Sequence, residues 1–460
     1  MASILDGLNI AKMSLAANQY AISITQRNTA NVNNPGYTRQ DVFFKDPTAQ
    51  SNWTTAGIPG IDVWSVRKSF LDHSIGQELP KLGESLSKYN ALREIDTILQ
   101  GTSGGGLGTV VSEFFNSFTQ LSSNPTDPAL RWQVITRAQT MTQEFNRLYN
   151  EIQRVQTSAD RQISNGVNEA NILTAKIADL NGRIEIAQAS GRAETEFALR
   201  DERQQYIEEL QSKMNALYFE TESGSITVTT SSGDALVLGK ANMQLTTGLM
   251  DDVYLSGNPI TNLITSGEIG GHIQVRDKLI PGYLATFDGM AADIITEVNN
   301  IHANGFDLAG DAGGKFFESV TLESGVNVAV ARDIRVVISD PSKVAAAGAD
   351  LNGDTLGIGD NENAKALAII SEKSFNGNTL GEFYASLIYK VGSDQLAAKE
   401  AGEAQQSVLG QLLGRRDAAS GVSLNEEAVN LIKFQQAYQA SSRFVSVLNS
   451  LSAEILSILR

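Results

Sequence analysis

Heptad-patterned stretches occupy the two extreme ends of this chain, and the apolar arc they create is too wide for a solitary helix. Near the start, Ile4, Leu8, Ala11, Leu15, Asn18, Ile22 and Thr25 recur at alternating spacings of four and three. That alternation is the spacing of a coiled-coil seam, with polar Asn18 and Thr25 as its weak points. At the far end, Leu424, Ala428, Leu431, Gln435, Tyr438, Ser442, Val445, Asn449, Ser452, Leu456 and Leu459 keep the same alternation. Val429, Ile432, Phe434, Leu448, Leu451, Ile455 and Ile458 lie beside that seam, so the helix needs a partner to cover it. Ser423 followed by Glu426 is a capping-box arrangement that sets where this helix starts. Ile4, Leu8, Leu15, Ile22, Leu431, Tyr438, Val445, Leu448, Ile455 and Leu459 form the candidate assembly seam.

A third helical block spans Asp127 to Ala189. Val134, Ala138, Met141, Phe145, Leu148, Ile152, Val155 and Ala159 alternate by four and three, and Ala170, Leu173, Ile177, Leu180, Ile184 and Ala187 resume the pattern. If continuous, such a helix is on the order of 90 Å long at 1.5 Å per residue. Gly166 and Gly182 are its weak points. Shorter helices are predicted over Phe70–Leu99, Val110–Ser122, Asp201–Met214, Arg276–His302 and Thr379–Gly414. Strands are predicted at Ser225–Thr230, at Ala235–Leu238 after a Ser-Ser-Gly-Asp turn, and at Ile334–Ile338. The Gly-, Asp- and Asn-rich stretch from Gly348 to Asn363 reads as a loop, and no internal repeat stands out. The fold class is therefore mainly α with a smaller β part: an elongated, multi-domain chain with a long helical bundle.

Composition narrows the function. At 460 residues the chain is too long for one ordinary core. Cysteine is absent, which removes disulfides and thiolate chemistry. A formal net charge of −16 argues against nucleic acid or an anionic membrane as partner. No apolar run reaches bilayer length, and the first residues lack the pattern of a cleaved secretory signal, so neither membrane insertion nor that route is expected.

Motifs that could carry chemistry fail on context. Ser103 sits in Gly101-Thr-Ser-Gly-Gly105, which fits G-x-S-x-G, but a helical pattern precedes it where a nucleophile elbow needs a strand. Asp350-Leu-Asn-Gly-Asp354 imitates a calcium loop without its glycine and bidentate glutamate at the required positions. His73, His272 and His302 show no metal-ligand spacing. The reading is no catalytic residue, no cofactor and no metal.

The segment Asn28-Thr-Ala-Asn-Val-Asn-Asn-Pro-Gly-Tyr-Thr-Arg-Gln40 is more specific. It works physically as a helix stop: Asn33 and Asn34 tolerate left-handed geometry, Pro35 forbids continuation, Gly36 turns and Tyr37 packs the emerging strand back. With its Asn31, Asn34, Pro35, Gly36, Tyr37, Thr38 and Arg39, the string resembles the stretch shared by bacterial flagellar rod, hook and hook-associated proteins. The end from Ser420 to Ala440 resembles the same axial family. Leu199-Arg-Asp-Glu-Arg203, Gly313-Gly-Lys-Phe-Phe317, Asp340-Pro341, Ala345-Ala-Ala-Gly348 and Gly359-Asp-Asn-Glu-Asn-Ala364 resemble the hook-associated protein 1 family.

That resemblance implies terminal helices paired as a coiled coil, a helical bundle beyond them, and β-rich parts outside, with the outer domain between Phe317 and Gly359 reduced. The expected domains are 1–69 (N-terminal half of the inner domain), 70–216 (bundle), 217–360 (β-rich segments with a helix near 276–302), 361–419 (return of the bundle) and 420–460 (C-terminal helix of the inner domain). It further implies a structural, non-enzymatic part of the flagellum at the hook–filament junction, needed for filament assembly. The implied partners are other copies of the chain, the hook protein, a second junction protein, and an export chaperone at the C-terminal region. The implied location is extracellular, reached through type III export without a cleaved signal. The alternatives are a hook or distal-rod axial protein, or a secreted hydrolase using Ser103.

Overall fold

The computed structural model describes residues 2–34, 36–44, 54–55, 58–59, 61–101, 106–221, 223–248, 252–318, 329–375 and 377–458. Pro35, Ser103 and Leu459 lie outside them, as do the side chains of Ile4 and Leu456.

Helix α1 (Ala2–Ala30) leads into strand β1 (Gln40–Phe44). A small hairpin of β2 (Thr54–Thr55) and β3 (Ile58–Pro59) follows, and β4 (Ile61–Ser65) pairs antiparallel with β1 from Gln40–Ser65 to Phe44–Ile61. Four helices come next: α2 (Ser69–Gln100), α3 (Leu107–Ser123), α4 (Pro128–Ala189) and α5 (Ala193–Lys213). An antiparallel sheet of β5 (Ala216–Glu220), β6 (Ile226–Thr230), β7 (Ala235–Leu238) and β8 (Ala241–Asn242) is followed by a second of β9 (Leu245–Thr247), β10 (Val253–Leu255) and β11 (Asn258–Pro259). Helices α6 (Gly267–Gln274), α7 (Ile280–Ala303), α8 (Val330–Asp333), α9 (Glu362–Ala368), α10 (Leu380–Ser420) and α11 (Leu424–Ile458) complete the chain.

Packing divides the chain into two compact units, one of residues 1–84, 164–270 and 402–460, the other of residues 85–163 and 271–401. The second has an aromatic core. Phe114 and Phe118 of α3 stand 5.9 and 6.0 Å from Phe316, and Phe145 of α4 lies 5.0 Å from Phe287 of α7. Buried His302 fills the edge of this core in a neutral form: Nδ1 donates to Gly314 O at 2.7 Å and Nε2 accepts the Ala345 N–H at 2.9 Å. Burial lowers its pKa to about 4. Arg131, also buried, donates to the carbonyls of Pro125, Pro341 and Val344, tying the start of α4 to that loop.

Helix α4 runs unbroken for 62 residues through both suspected weak points. Gly166 lies on its buried face, where an added Cβ would stand 2.7 Å from Ile269 Cγ1, so the position demands a bare backbone. In the first unit two asparagines of α4 bind strands as a neighbouring strand would. Asn181 Nδ2 donates to Ile226 O and Gly239 O at 2.8 and 2.7 Å, and Asn171 exchanges two 2.8 Å bonds with the Leu245 backbone.

Between α6 and α7 the helix widens into a π turn at Val275–Leu279. Pro281 has no N–H to offer the Arg276 carbonyl, and Gln156 Nε2 fills that vacancy at 2.9 Å. Among the described residues, the strand expected at Ile334–Ile338 forms a single bridge, Val336 with Phe317, flanked by backbone bonds from Glu318 N to Arg335 O at 3.1 Å and from Val337 N to Phe316 O at 2.9 Å. The Asn146 amide takes the carbonyls of Ala331, Arg332 and Ile334 where the chain enters this segment.

Candidate assembly surface

Helices α1 and α11 pack against each other in opposite directions. Ser14 Oγ lies 2.9 Å from Ser441 Oγ, a Cβ built on Gly7 would stand 3.5 Å from Leu448 Cδ1, and Asn28 faces the buried Glu427 carboxylate. Along these contacts α1 climbs by seven, or a multiple of seven, while α11 descends by the same amount. That is the register of an antiparallel heptad pair.

On α11 the face turned toward α1 carries Glu427, Leu431, Phe434, Tyr438, Ser441, Val445, Leu448, Ser452 and Ile455, all buried or half-buried. Leu431, Tyr438, Val445, Leu448 and Ile455 of the candidate seam therefore lie on one face. Gln435, Ser442 and Asn449, which the sequence pattern places on the seam, are exposed. The helix is rotated so that Phe434 and Leu448 take their place. On α1, Leu8, Leu15 and Ile22 are half-buried, while Ala11, Asn18, Ala21, Ile24 and Thr25 are buried more deeply. Small residues let the two backbones approach.

The opposite face of α11 holds a second apolar row. Val429, Ile432, Phe444, Val447 and Leu451 are between 44% and 65% exposed. Between Lys433 and Glu454 only Arg443 carries charge, so this face lacks the charged cover usual for a solvated helix.

The Asn-rich string ties the ends of the chain together. After Ala30 the backbone closes tight turns, with Asn31 N bonded to Arg27 O at 3.0 Å, Asn34 N to Asn31 O at 2.9 Å and Tyr37 N to Asn34 O at 3.2 Å. Gly36 adopts φ +80°, whereas Asn33 and Asn34 do not enter the left-handed region the sequence reading allowed them. Buried Asn28 accepts from the Tyr37 hydroxyl at 2.8 Å and exchanges bonds with the Gln40 backbone at 2.8 and 3.1 Å. The Tyr37 hydroxyl is pushed up to about 12, chiefly by burial. Thr38 donates its N–H and its hydroxyl to the buried Asp201 carboxylate at 3.0 and 2.8 Å. Burial raises the Asp201 pKa against those donors.

Arg39 closes the clasp. Its N–H donates to Ser420 O at 2.9 Å, and its guanidinium pairs with Glu426 and approaches Glu427 at 3.9 Å. Ser423 Oγ accepts the Glu426 N–H at 3.5 Å, but the Glu426 carboxylate serves Arg39, so only half of the capping box forms. Beneath lie Arg67 with Asp72 at 2.8 Å and Arg416 with Glu208 at 2.6 Å. Asn28 and Asp201 fall inside segments the sequence had singled out; Arg67, Asp72 and Arg416 did not stand out, because isolated charges off any periodic face carry no local signal.

His73, His272 and His302 occupy three different helices. Among the described residues no group of His, Asp or Glu could hold a metal ion, and no helix is long and apolar enough to cross a membrane. The Asp350 loop is structural. Its carboxylate accepts the N–H groups of Asn352 and Asp354 at 2.8 and 2.9 Å.

A family model described as "Flagellar hook-associated protein FlgK helical domain" matches residues 92–317, and one described as "Flagellar basal body rod FlgEFG protein C-terminal" matches residues 416–458. The flagellar hook-associated protein 1 of Bacillus subtilis (strain 168) is 26% identical, with 99% of this chain and 98% of that protein aligned. Its counterpart in Escherichia coli (strain K12) is 23% identical over 98% and 99%. The flagellar hook junction protein FlgK from Burkholderia pseudomallei shares the fold, with a TM-score of 0.65 and 15% identity over 75% of this chain and 99% of that one.

Proposed function

We propose that this chain, a member of the flagellar hook-associated protein 1 family, works as a structural subunit of the hook–filament junction and assembles through the outer face of α11. The observation that carries the assembly step is the uncovered row Val429, Ile432, Phe444, Val447 and Leu451 on a helix whose other face is already occupied by α1. Apolar rows of this kind mark contact sites. The partners proposed are neighbouring copies, the hook protein, a second junction protein, and a chaperone holding the C-terminal region before export. The proposed location is the external flagellum, reached without a cleaved signal. The role needs no catalysis. A hook or distal-rod subunit would share both chain ends, but the 62-residue α4 and the match over residues 92–317 favour the junction.

Val447→Asp tests the reading. The variant should be exported and folded yet absent from purified flagella, because burying an unpaired carboxylate in an apolar contact costs several kcal/mol. Labelled wild-type protein should sit at the hook tip. Filaments of normal length on the variant, or label found only in the cytoplasm, would refute the proposal.

A further inference from the structure

Two five-residue loops of this chain have the same internal wiring. Asp307-Leu-Ala-Gly-Asp311 and Asp350-Leu-Asn-Gly-Asp354 differ only at the third position. In each, the first aspartate N–H bonds the last aspartate carbonyl, at 2.9 and 2.7 Å. In each, its Oδ1 accepts from the third and fifth N–H groups, and the glycine turns with φ of +79° or +86°. This short structural repeat escaped the sequence reading.

The third position matters chemically, because Asn352 precedes Gly353. In an Asn-Gly pair the glycine nitrogen can attack the asparagine side-chain carbon. A C–N bond forms to Cγ, the side-chain amide leaves as ammonia with the proton from the glycine nitrogen, and a succinimide ring results. Water then opens the ring at either carbonyl, giving aspartate or isoaspartate. No oxidant or enzyme is needed, but the backbone must rotate to bring nitrogen and carbon together.

Three other Asn-Gly pairs fall among the described residues, and each is held. Asn165 and Asn181 are inside α4, where the following N–H belongs to the helical ladder, and Asn181 is fully buried. Asn304 ends α7, with its amide on Asn300 O at 2.9 Å, and Gly305 is packed so closely that a Cβ there would lie 2.1 Å from Asn363 Nδ2. At the fourth pair the Gly353 N–H is held by a single turn bond to Asp350 O at 3.1 Å, nothing stands within 4 Å of an added Cβ, and Asn352 is exposed. Asn376-Gly377 includes a residue outside those described and stands apart from the comparison.

We propose that Asn352 is a self-modifying site: its spontaneous deamidation outpaces that of Asn165, Asn181 and Asn304 and adds a carboxylate to the loop as the protein ages. The isoaspartate product also lengthens the backbone by one carbon, which breaks the bonds from Asp350 to Asn352 and Asp354.

The experiment incubates the purified full-length chain in mildly alkaline buffer and follows each site by tryptic mapping with mass spectrometry. Cleavage after Lys and Arg places the four in separate peptides, residues 162–176, 177–183, 279–315 and 344–365. The 344–365 peptide should convert more than about tenfold faster than the others, since each ~1.4 kcal/mol of local opening energy slows a held site roughly tenfold. In urea the four rates should converge. Asn352→Ala should abolish the early acidic shift without loss of thermal stability, because Ala309 already occupies the equivalent place. Equal rates in the native chain, an unchanged rate ratio in urea, or an acidic shift surviving in Asn352→Ala would each overturn the proposal.

Discussion

Along α4 the heptad residues from Val134 to Ala187 are covered by the rest of their own chain, whereas along α11 one apolar face is covered and a second is not. Both helices show the same alternation in sequence. What separates them is the opposite face. On α4 it carries Arg137, Arg147, Glu151, Arg154, Arg161 and Arg183, which water solvates. On α11, between Lys433 and Glu454, the outer residues are Ser, Gln, Ala, Asn and the exposed apolar row, with Arg443 the one charge. A heptad says that a partner exists; the chemistry of the far side says whether one partner is enough.

Truncating the covered helix is the strongest way to test this contrast. Phe145→Ala should destabilise the second unit by about 3–5 kcal/mol, through lost transfer energy and the cavity left beside Phe287. Denaturant unfolding measures it, and a loss under about 1 kcal/mol would mean α4 is less tightly held than its burial implies.

Acid should weaken the second unit. His302 is held neutral with a pKa near 4 in the folded protein, against about 6.5 in an unfolded chain. Protons therefore bind the unfolded state first as pH falls. The stabilisation is complete above about 6.5 and declines toward pH 4, by roughly 3 kcal/mol in all. A His302→Gln variant should lose that slope; an unchanged slope would assign it to other groups.

The two α4 glycines offer an internal control. Gly166→Ala should cost about 1–3 kcal/mol because its Cβ meets Ile269. At Gly182 the nearest atoms are the flexible methylenes of Lys240 at 3.4 Å, so Gly182→Ala should gain up to about 1 kcal/mol of helix propensity. In the clasp, Thr38→Val removes one donor from buried Asp201 and should cost about 1–2 kcal/mol by thermal melts.

The smallest effect belongs to the uncovered face. Val447→Asp should change the stability of the isolated chain by less than about 0.5 kcal/mol. A larger loss would show that this face is already packed within the subunit.

Periodicity made the helices legible. It placed α2, α3 and α4 nearly to their ends, because long amphipathic stripes outweigh local detail, and it found the start of α10 but ended it six residues early, at Gly414 instead of Ser420. It misjudged the rotation of α11, since Gln435 and Ser442 fit the spacing as well as Phe434 and Ser441 do. Only the position of α1 decides between them. It also missed the first turns of α5, where Ala193 to Arg200 have no apolar stripe, and the wiring of Asn146, Asn171 and Asn181, whose amides act across the tertiary structure. The Asn-rich string showed that a turn was there, but not that Thr38 and Arg39 would bind Asp201, Ser420 and Glu426.

Time enters through the clasp and the α1–α11 pair. The Ser14–Ser441 contact spans 427 positions, so the first unit has no finished form until nearly the last residue is available. The second unit draws on residues 85–163 and 271–401 alone and can close earlier. Its closure shortens the effective loop between the chain ends, lowering an entropy that grows only as about (3/2)RT ln n. On connectivity alone, the part that bears the uncovered face is expected to fold last.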